Sequence, residues 1–188
     1  MEGDTPSFLY ILPNGLHQTD HPEQAGWGGC FVRDLCRDSL TWAWTNWREP
    51  QKSISASYER HFYQDIFHDF VARMDWASKG EGFHNPVAII NGRRGVDPIY
   101  IKANAGQEIT LDASKSFSLD NVSLSYKWWI QEDLSLLSDK ISLEQKGEKA
   151  ILRLPHLIES GTIHIICEVR QDSQPSLVSY RRIIINNT

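Results

Sequence analysis

Hydrophobic positions along this chain change their period near residue 85. Tyr58, Phe62, Ile66, Phe70 and Met74 recur every four residues, with Tyr63, Phe67 and Val71 beside them. That spacing predicts one helix over about residues 57–77. Ser55 or Ser57 would cap it, Glu59 would lie in its first turn and Gly80 would end it. At ~1.5 Å per residue it would be roughly 30 Å long. Its apolar band is too broad to face water on all sides, and the first 50 residues show no layer large enough to bury it. The helix is therefore expected to pack on the second half or on a partner outside this chain.

After Asn85-Pro86 the period falls to two, in short runs separated by turns. Strands are predicted at 87–91, 99–102, 108–112, 124–130, 141–144, 150–154, 162–170 and 178–185. Helices of crossover length are missing, so the pattern implies a two-layer antiparallel sandwich. Ile163, Ile165, Cys167 and Val169 form one inward set, and Leu124, Tyr126 and Trp128 a second; His164, Ile166, Glu168 and Arg170 share the opposite face. Burying some ten large side chains, at about 1.5–3 kcal/mol each, would sustain an independent domain. Because neighbouring strand residues face opposite ways, an inward Trp128 sends Trp129 to solvent, another layer or a ligand.

Before residue 57 the pattern is weaker. Phe8-Leu9-Tyr10-Ile11-Leu12, ended by Pro13-Asn14-Gly15, fits a short strand or the last turns of a helix. Residues 17–29 read as a loop. Trp42, Trp44 and Trp47 follow, and the first two share a face if their segment is extended.

The net charge of −5 gives no basis for nucleic-acid binding, and Arg93-Arg94 and Arg181-Arg182 are too short to track phosphates. No apolar run reaches the ~18 residues of a membrane span, and no membrane partner is expected. The first residues lack a signal-peptide pattern. Three cysteines at wide spacing make no disulfide framework or zinc pattern; a Cys30–Cys36 bridge and buried free thiols both remain open. Asn121-Val122-Ser123 and Asn186-Asn187-Thr188 fit the glycosylation acceptor pattern, relevant only on a glycosylating secretory route.

Several segments, in order, carry a likeness. Glu2 to Tyr10, Leu12-Pro13-Asn14-Gly15-Leu16, Gly26-Trp27-Gly28-Gly29 and Phe70 to Trp76 resemble the closing part of the nucleoside-hydrolase-like domain in a family of cellulose-binding proteins. Asn85-Pro86-Val87-Ala88, Asn91-Gly92, Leu111-Asp112-Ala113-Ser114, Leu124 to Trp129 and Ser179-Tyr180-Arg181-Arg182 resemble the same family's C-terminal immunoglobulin-like domain. Asp112-Ala113-Ser114 and Tyr126-Lys127-Trp128 also resemble the PKD type of extracellular sandwich. The turn between them, Ser118 to Ser123, has one acid and no glycine, which weakens a calcium-binding reading. The resemblance implies a mixed fold: a helical and loop-rich tail of a missing α/β domain over 1–84, then an all-β immunoglobulin-like sandwich over 85–188. It implies no cofactor in this chain, with Ca2+ belonging to the missing N-terminal domain. It also implies a secreted or periplasmic parent protein.

Asp4, with Glu2 and Thr5, is the catalytic candidate, because carboxylates bind hard cations or activate water. A polar cap leading into Pro6 is the plainer reading, and one acidic corner cannot supply both a metal cage and a general base. His17, Asp20, His21 and Glu23 match no strong metal spacing and read as a polar loop. His61, Asp65 and His68 share a helix face and read as a surface hydrogen-bonded set. Trp27, Trp42, Trp44 and Trp129 are the carbohydrate-binding candidates. Flat indoles can cover the C–H faces of a pyranose, although tryptophans also fill cores and seams.

The leading expectation is a noncatalytic accessory or scaffold portion of a hydrolase-like protein that also binds carbohydrate. Its partners would be a polysaccharide or oligosaccharide and the missing hydrolase-like domain. Two alternatives stand beside it. Joined to that domain, the segment could contribute to a glycoside or nucleoside hydrolase centre, or the sandwich could serve protein contact alone.

Overall fold

In the computed structural model, which describes residues 5–16, 19–36, 38, 40–135, 141–156 and 160–187, the chain divides into two units, Met1–Phe67 and His68–Thr188. The division falls inside one long helix. The first unit begins with helix α1 (Thr5–Ile11), so Phe8 to Ile11 form the last turn of a helix, one of the two forms the pattern allowed. Tyr10 meets Phe31 edge-on, with ring centroids 5.8 Å apart.

Gly26 and Gly29 exchange backbone hydrogen bonds of 3.0 and 2.9 Å and fold Trp27 inward. Gly29 has φ +82°, and a Cβ there would lie 2.1 Å from the Ser55 hydroxyl. Only glycine satisfies both conditions. Strands β1 (Val32–Leu35) and β2 (Trp42–Thr45) follow as an antiparallel hairpin that the hydrophobic pattern does not announce, being short and largely exposed.

Helix α2 (Gln51–Lys79) begins well before the expected start. Ser53 N–H donates to the Glu49 carboxylate at 3.2 Å, giving the first turn an acidic partner. Ser55 and Ser57 are therefore interior residues, not caps. Ser55 is buried and joins the helix to the preceding loop: its hydroxyl accepts the Cys30 N–H at 3.2 Å and the Asn46 amide at 2.9 Å. Gly80, at φ +73°, ends α2 as predicted, its N–H donating to Trp76 O at 3.1 Å. The helix is about 43 Å long at ~1.5 Å per residue. Its buried positions are Ser55, Phe62, Asp65, Asp69 and Ala72, whereas Tyr63, Phe67, Phe70 and Met74 are exposed. Asp65 is thus no surface residue, and His68 bonds the Ser176 carbonyl through Nδ1 at 3.0 Å.

The second unit is a β-sandwich. Short strands β3 (Ile89–Ile90), within the predicted 87–91 strand, and β4 (Arg93–Arg94) make a hairpin. Strands β5 (Ile99–Ala103), β6 (Glu108–Asp112), β7 (Leu124–Ile130), β8 (Ser142–Lys146), β9 (Lys149–Arg153), β10 (Gly161–Gln171) and β11 (Val178–Asn187) follow the predicted runs closely. One sheet has the order β5-β11-β10-β7 and the other β6-β9-β8. The expectation of a wholly antiparallel sandwich fails at one pair, because β5 runs parallel to β11.

Ile109, Leu111, Ala150 and Leu152 meet Trp128, Ile163, Ile165, Cys167, Val169, Ile183 and Ile185 in the core. Burial pushes the Cys167 thiol up, so it stays protonated. Cys30 and Cys36 are also free thiols. Trp128 faces inward opposite Cys167, as predicted. At this sheet edge the Gln145 side chain accepts the Trp128 N–H at 3.1 Å and donates to Tyr126 O at 2.7 Å, occupying polar groups that an edge strand would expose.

The segment Asp112-Ala113-Ser114 closes a turn. Asp112 accepts the Ser114 N–H at 2.8 Å and pairs with Lys149 at 3.1 Å. The Ser114 hydroxyl and N–H, then Lys149, hold the Asp112 carboxyl at about 2. Because the folded value is depressed, this stabilisation is complete above ~4 and disappears as pH falls towards 2. Asp112→Asn should flatten the stability–pH curve across that window, as read from urea midpoints at pH 5, 4, 3 and 2.

The Trp128 indole N–H is buried without a hydrogen-bond partner among the described residues. Trp128→Phe should therefore cost no more than about 1 kcal/mol, since it removes an unpaired donor along with some packing. Trp128→Ala should cost about 3–5 kcal/mol through the cavity it opens. Urea denaturation of the two variants checks the contrast.

Candidate functional site

The β1–β2 hairpin presents two exposed indoles in the first unit. Alternation along β2 places Trp42 and Trp44 on one face, opposite Leu35 and Arg33 of β1, so the condition set by their spacing is met. They are 60% and 45% exposed, with side-chain origins about 6.7 Å apart along the strand. Trp47, just beyond β2, is exposed as well. The hairpin is braced at the other end by an ion pair between Arg48 and Asp34 at 3.0 Å. Rigid rings on a hydrogen-bonded ribbon are ready to take a flat apolar ligand face, because ordering them costs little side-chain entropy.

The other aromatic candidates are placed differently. Trp27 is 2% exposed and has no open face to offer, so as a sugar platform it is corrected to a core residue of the Gly26–Gly29 turn. The sequence could not separate these roles, since glycine-flanked tryptophans occur both in exposed loops and in folded-in turns. Trp129 is half-buried on the opposite sheet face from Trp128, and its indole N–H donates to Glu168 at 2.8 Å.

Glu168 itself is buried, with Lys127 at 3.8 Å and Arg170 at 3.6 Å. On the same face Arg182 is fully buried and donates to Gln131 at 2.6 Å, with His164 Nδ1 3.3 Å away. A face that carries His164, Glu168 and Arg170 on β10 would ordinarily be left to solvent. It is instead buried and polar, and the cost of desolvating its charges is offset by these contacts.

Asp4 and His17 lie outside the described residues, as does Thr188 of the second acceptor triplet. His21 and Glu23 pair on the surface at 2.8 Å. Among the described residues no group of three or more His, Cys, Asp or Glu could hold a metal ion, and no helix is long and apolar enough to cross a membrane. Trp42 and Trp44 accordingly remain the best-formed pair among the sequence candidates.

Comparison with known proteins agrees with the likeness seen in the segments. Residues 108–187 match the C-terminal domain of cellulose-binding protein Sde0182, and residues 1–31 match the nucleoside hydrolase-like domain of cellulose-binding Sde182. No curated protein matches the chain significantly. Among solved structures, a nucleoside hydrolase-related hypothetical protein from Saccharophagus degradans, associated with carbohydrate metabolism, is similar over 100% of this chain. The identity is 28% and the TM-score 0.86, and 48% of that protein is covered. The chain thus spans about half the length of that relative. A 2,6-sialyltransferase of Photobacterium sp. JT-ISH-224 (9% identity, 49% of this chain and 17% of that one, TM-score 0.35) is far less similar. So is the PKD domain of the KIAA 1837 protein (21% identity, 48% and 80%, TM-score 0.33).

Proposed function

We propose, from the premise that this chain corresponds to the C-terminal part of that cellulose-binding family, that it is a noncatalytic accessory portion which holds a β-linked polysaccharide. The exposed pair Trp42 and Trp44, side by side on one hairpin face, carries this reading. Two indoles on alternate strand positions can cover neighbouring sugar rings of one chain. Arg33, opposite Trp44, can donate to ring hydroxyls. If so, the full chain is retained on microcrystalline cellulose. Trp42→Ala with Trp44→Ala should cut retention at least tenfold while leaving thermal unfolding nearly unchanged, because both rings are exposed. Equal retention by wild type and the double variant would remove the hairpin from the account.

The scaffold part of the reading rests on α2. Helices bury apolar residues and expose charges, yet α2 buries Asp65 and Asp69 and exposes Tyr63, Phe67, Phe70 and Met74. Those four lie 4, 3 and 4 residues apart and so form one stripe. A stripe of this size fits coverage by a protein surface. The relative's additional length makes a nucleoside hydrolase-like domain the occupant of choice, in a parent protein that is secreted or periplasmic.

Phe67→Glu with Phe70→Glu should change the chain's own stability by no more than about 0.5 kcal/mol per site. The same pair should abolish association with a co-expressed nucleoside hydrolase-like domain in size-exclusion chromatography. Undiminished association would sink the scaffold reading. An active-site contribution by Asp4 is the second reading; it requires that Asp4→Ala lower hydrolysis of glycosides or nucleosides by the joined protein.

A further inference from the structure

The second unit holds a cleft that none of the sequence candidates lines. The end of α2, the segment after it and Leu119 border an open cleft of about 450 Å³, whose polar and aromatic lining is Asp69, Arg73, Trp76, Phe83, His84 and Asn85. That volume lies within the ~300–1,000 Å³ of small-molecule sites. Trp76, on the last turns of α2, is 41% exposed.

Its indole is held from three sides. The indole N–H donates to Phe83 O at 3.2 Å, and the His84 ring meets it edge-on with centroids 4.6 Å apart. Gly82 lies against its edge so closely that a Cβ there would sit 3.0 Å from the ring.

The polar groups around the indole are braced too. Asp120 accepts from His84 Nδ1 and from the His84 backbone N–H, each at 2.8 Å. Burial would raise the Asp120 carboxyl, but these hydrogen bonds outweigh it and the group stays ionised, below the usual carboxylate value. Asn85 donates its amide to Val178 O at 3.1 Å and keeps its carbonyl as an acceptor. Asp69, nearly buried, takes Arg73 Nε at 2.6 Å, which leaves the Arg73 terminal amino groups as donors.

The charge pattern narrows the ligand. An anion would meet the Asp69 carboxylate and a cation the Arg73 guanidinium; those two already neutralise each other, and Asp120 is engaged by His84. What remains is one fixed, partly exposed indole with Leu119 and with donors and acceptors of both kinds around it. Neutral polyhydroxylated rings have the matching chemistry, an apolar C–H face edged by hydroxyls that donate and accept.

We propose that this cleft binds a short neutral saccharide, or the end of a longer chain, with Trp76 as the stacking face and Asp69, Arg73 and the Asn85 carbonyl as hydroxyl partners. The inference rests on the carbohydrate reading above and adds a second, independent site with a preference for short soluble ligands. The Trp42–Trp44 face would grip chains lengthwise, whereas the cleft would take one or two rings.

The test is a titration of the full chain with cellobiose and cellotriose, followed by NMR of the tryptophan indole N–H signals, with Trp76→Ala identifying the Trp76 resonance. The expected result is a saturable shift of that resonance and at least tenfold weaker binding, by calorimetry, in Trp76→Ala. Arg73→Gln, whose amide can still donate to Asp69, should weaken binding about threefold or more. Cellulose retention through Trp42 and Trp44 should be unaffected by either change. No saturable shift in the wild type, or equal affinity in folded Trp76→Ala, overturns the cleft. Should Trp76→Ala fail to fold, Trp76→Phe identifies the resonance in its place, and wild-type affinity in Arg73→Gln together with an unmoved Trp76 signal overturns the cleft. Loss of cellulose retention in the Trp42/Trp44 variant reports on the hairpin alone, so the two readings fail separately.

Discussion

Pairing of β10 with β11 is the constraint on which the second unit depends. Ten residue pairs, from Gly161–Asn187 to Arg170–Val178, run in one antiparallel register, and both strands are buried on both faces. A one-residue slip of β10 would move Ile163, Ile165 and Cys167 out of the apolar core and carry His164 and Glu168 into it. The inner face gains from burial of apolar area. The other face is tolerable only because its charges find partners: Arg182 with Gln131, and Glu168 with Trp129, Lys127 and Arg170. One register satisfies both faces, which fixes the neighbours β5 and β7 in turn.

The same tension between burial and polarity appears in α2 with the opposite outcome. Its pattern of large apolar residues made it look like a helix whose broad band had to be covered. The band is in fact split. Phe62 is buried, while Tyr63, Phe67, Phe70 and Met74 face outward. Within the first unit Ser55 explains part of this choice, since it must reach Cys30 N–H and Asn46 to hold the loop, and so turns its own face of the helix inward.

The tryptophans show how one residue type serves distinct ends. Trp27 and Trp128 supply buried volume, Trp129 links a carboxylate into a polar sheet face, and Trp42 and Trp44 stand in the open on a short hairpin. Trp76 is held by a backbone carbonyl and a histidine ring at the margin of a cleft. Placement decides among these roles through the partner of the indole N–H and the number of ring faces left to water. Neither can be counted from composition.

Read by itself, the sequence determined the period-two strands from β5 to β11, the inward set around Trp128, the long helix and its glycine stop. Each follows from local rules: alternation, a 3.6-residue repeat, and a residue tolerant of positive φ. The β1–β2 hairpin escaped it, because four-residue exposed strands carry almost no hydrophobic signal. So did the earlier start of α2 and the parallel pairing of β5, which rest on contacts distant in sequence. The candidate site was legible only in part: Trp42 and Trp44 stood out by spacing, whereas Trp27 was misplaced and Trp76 was not among the site candidates. Only the tertiary structure decided which indoles were spent on the core and which were left open, because exposure is a property of what packs on a residue, not of the residue or its neighbours in the chain.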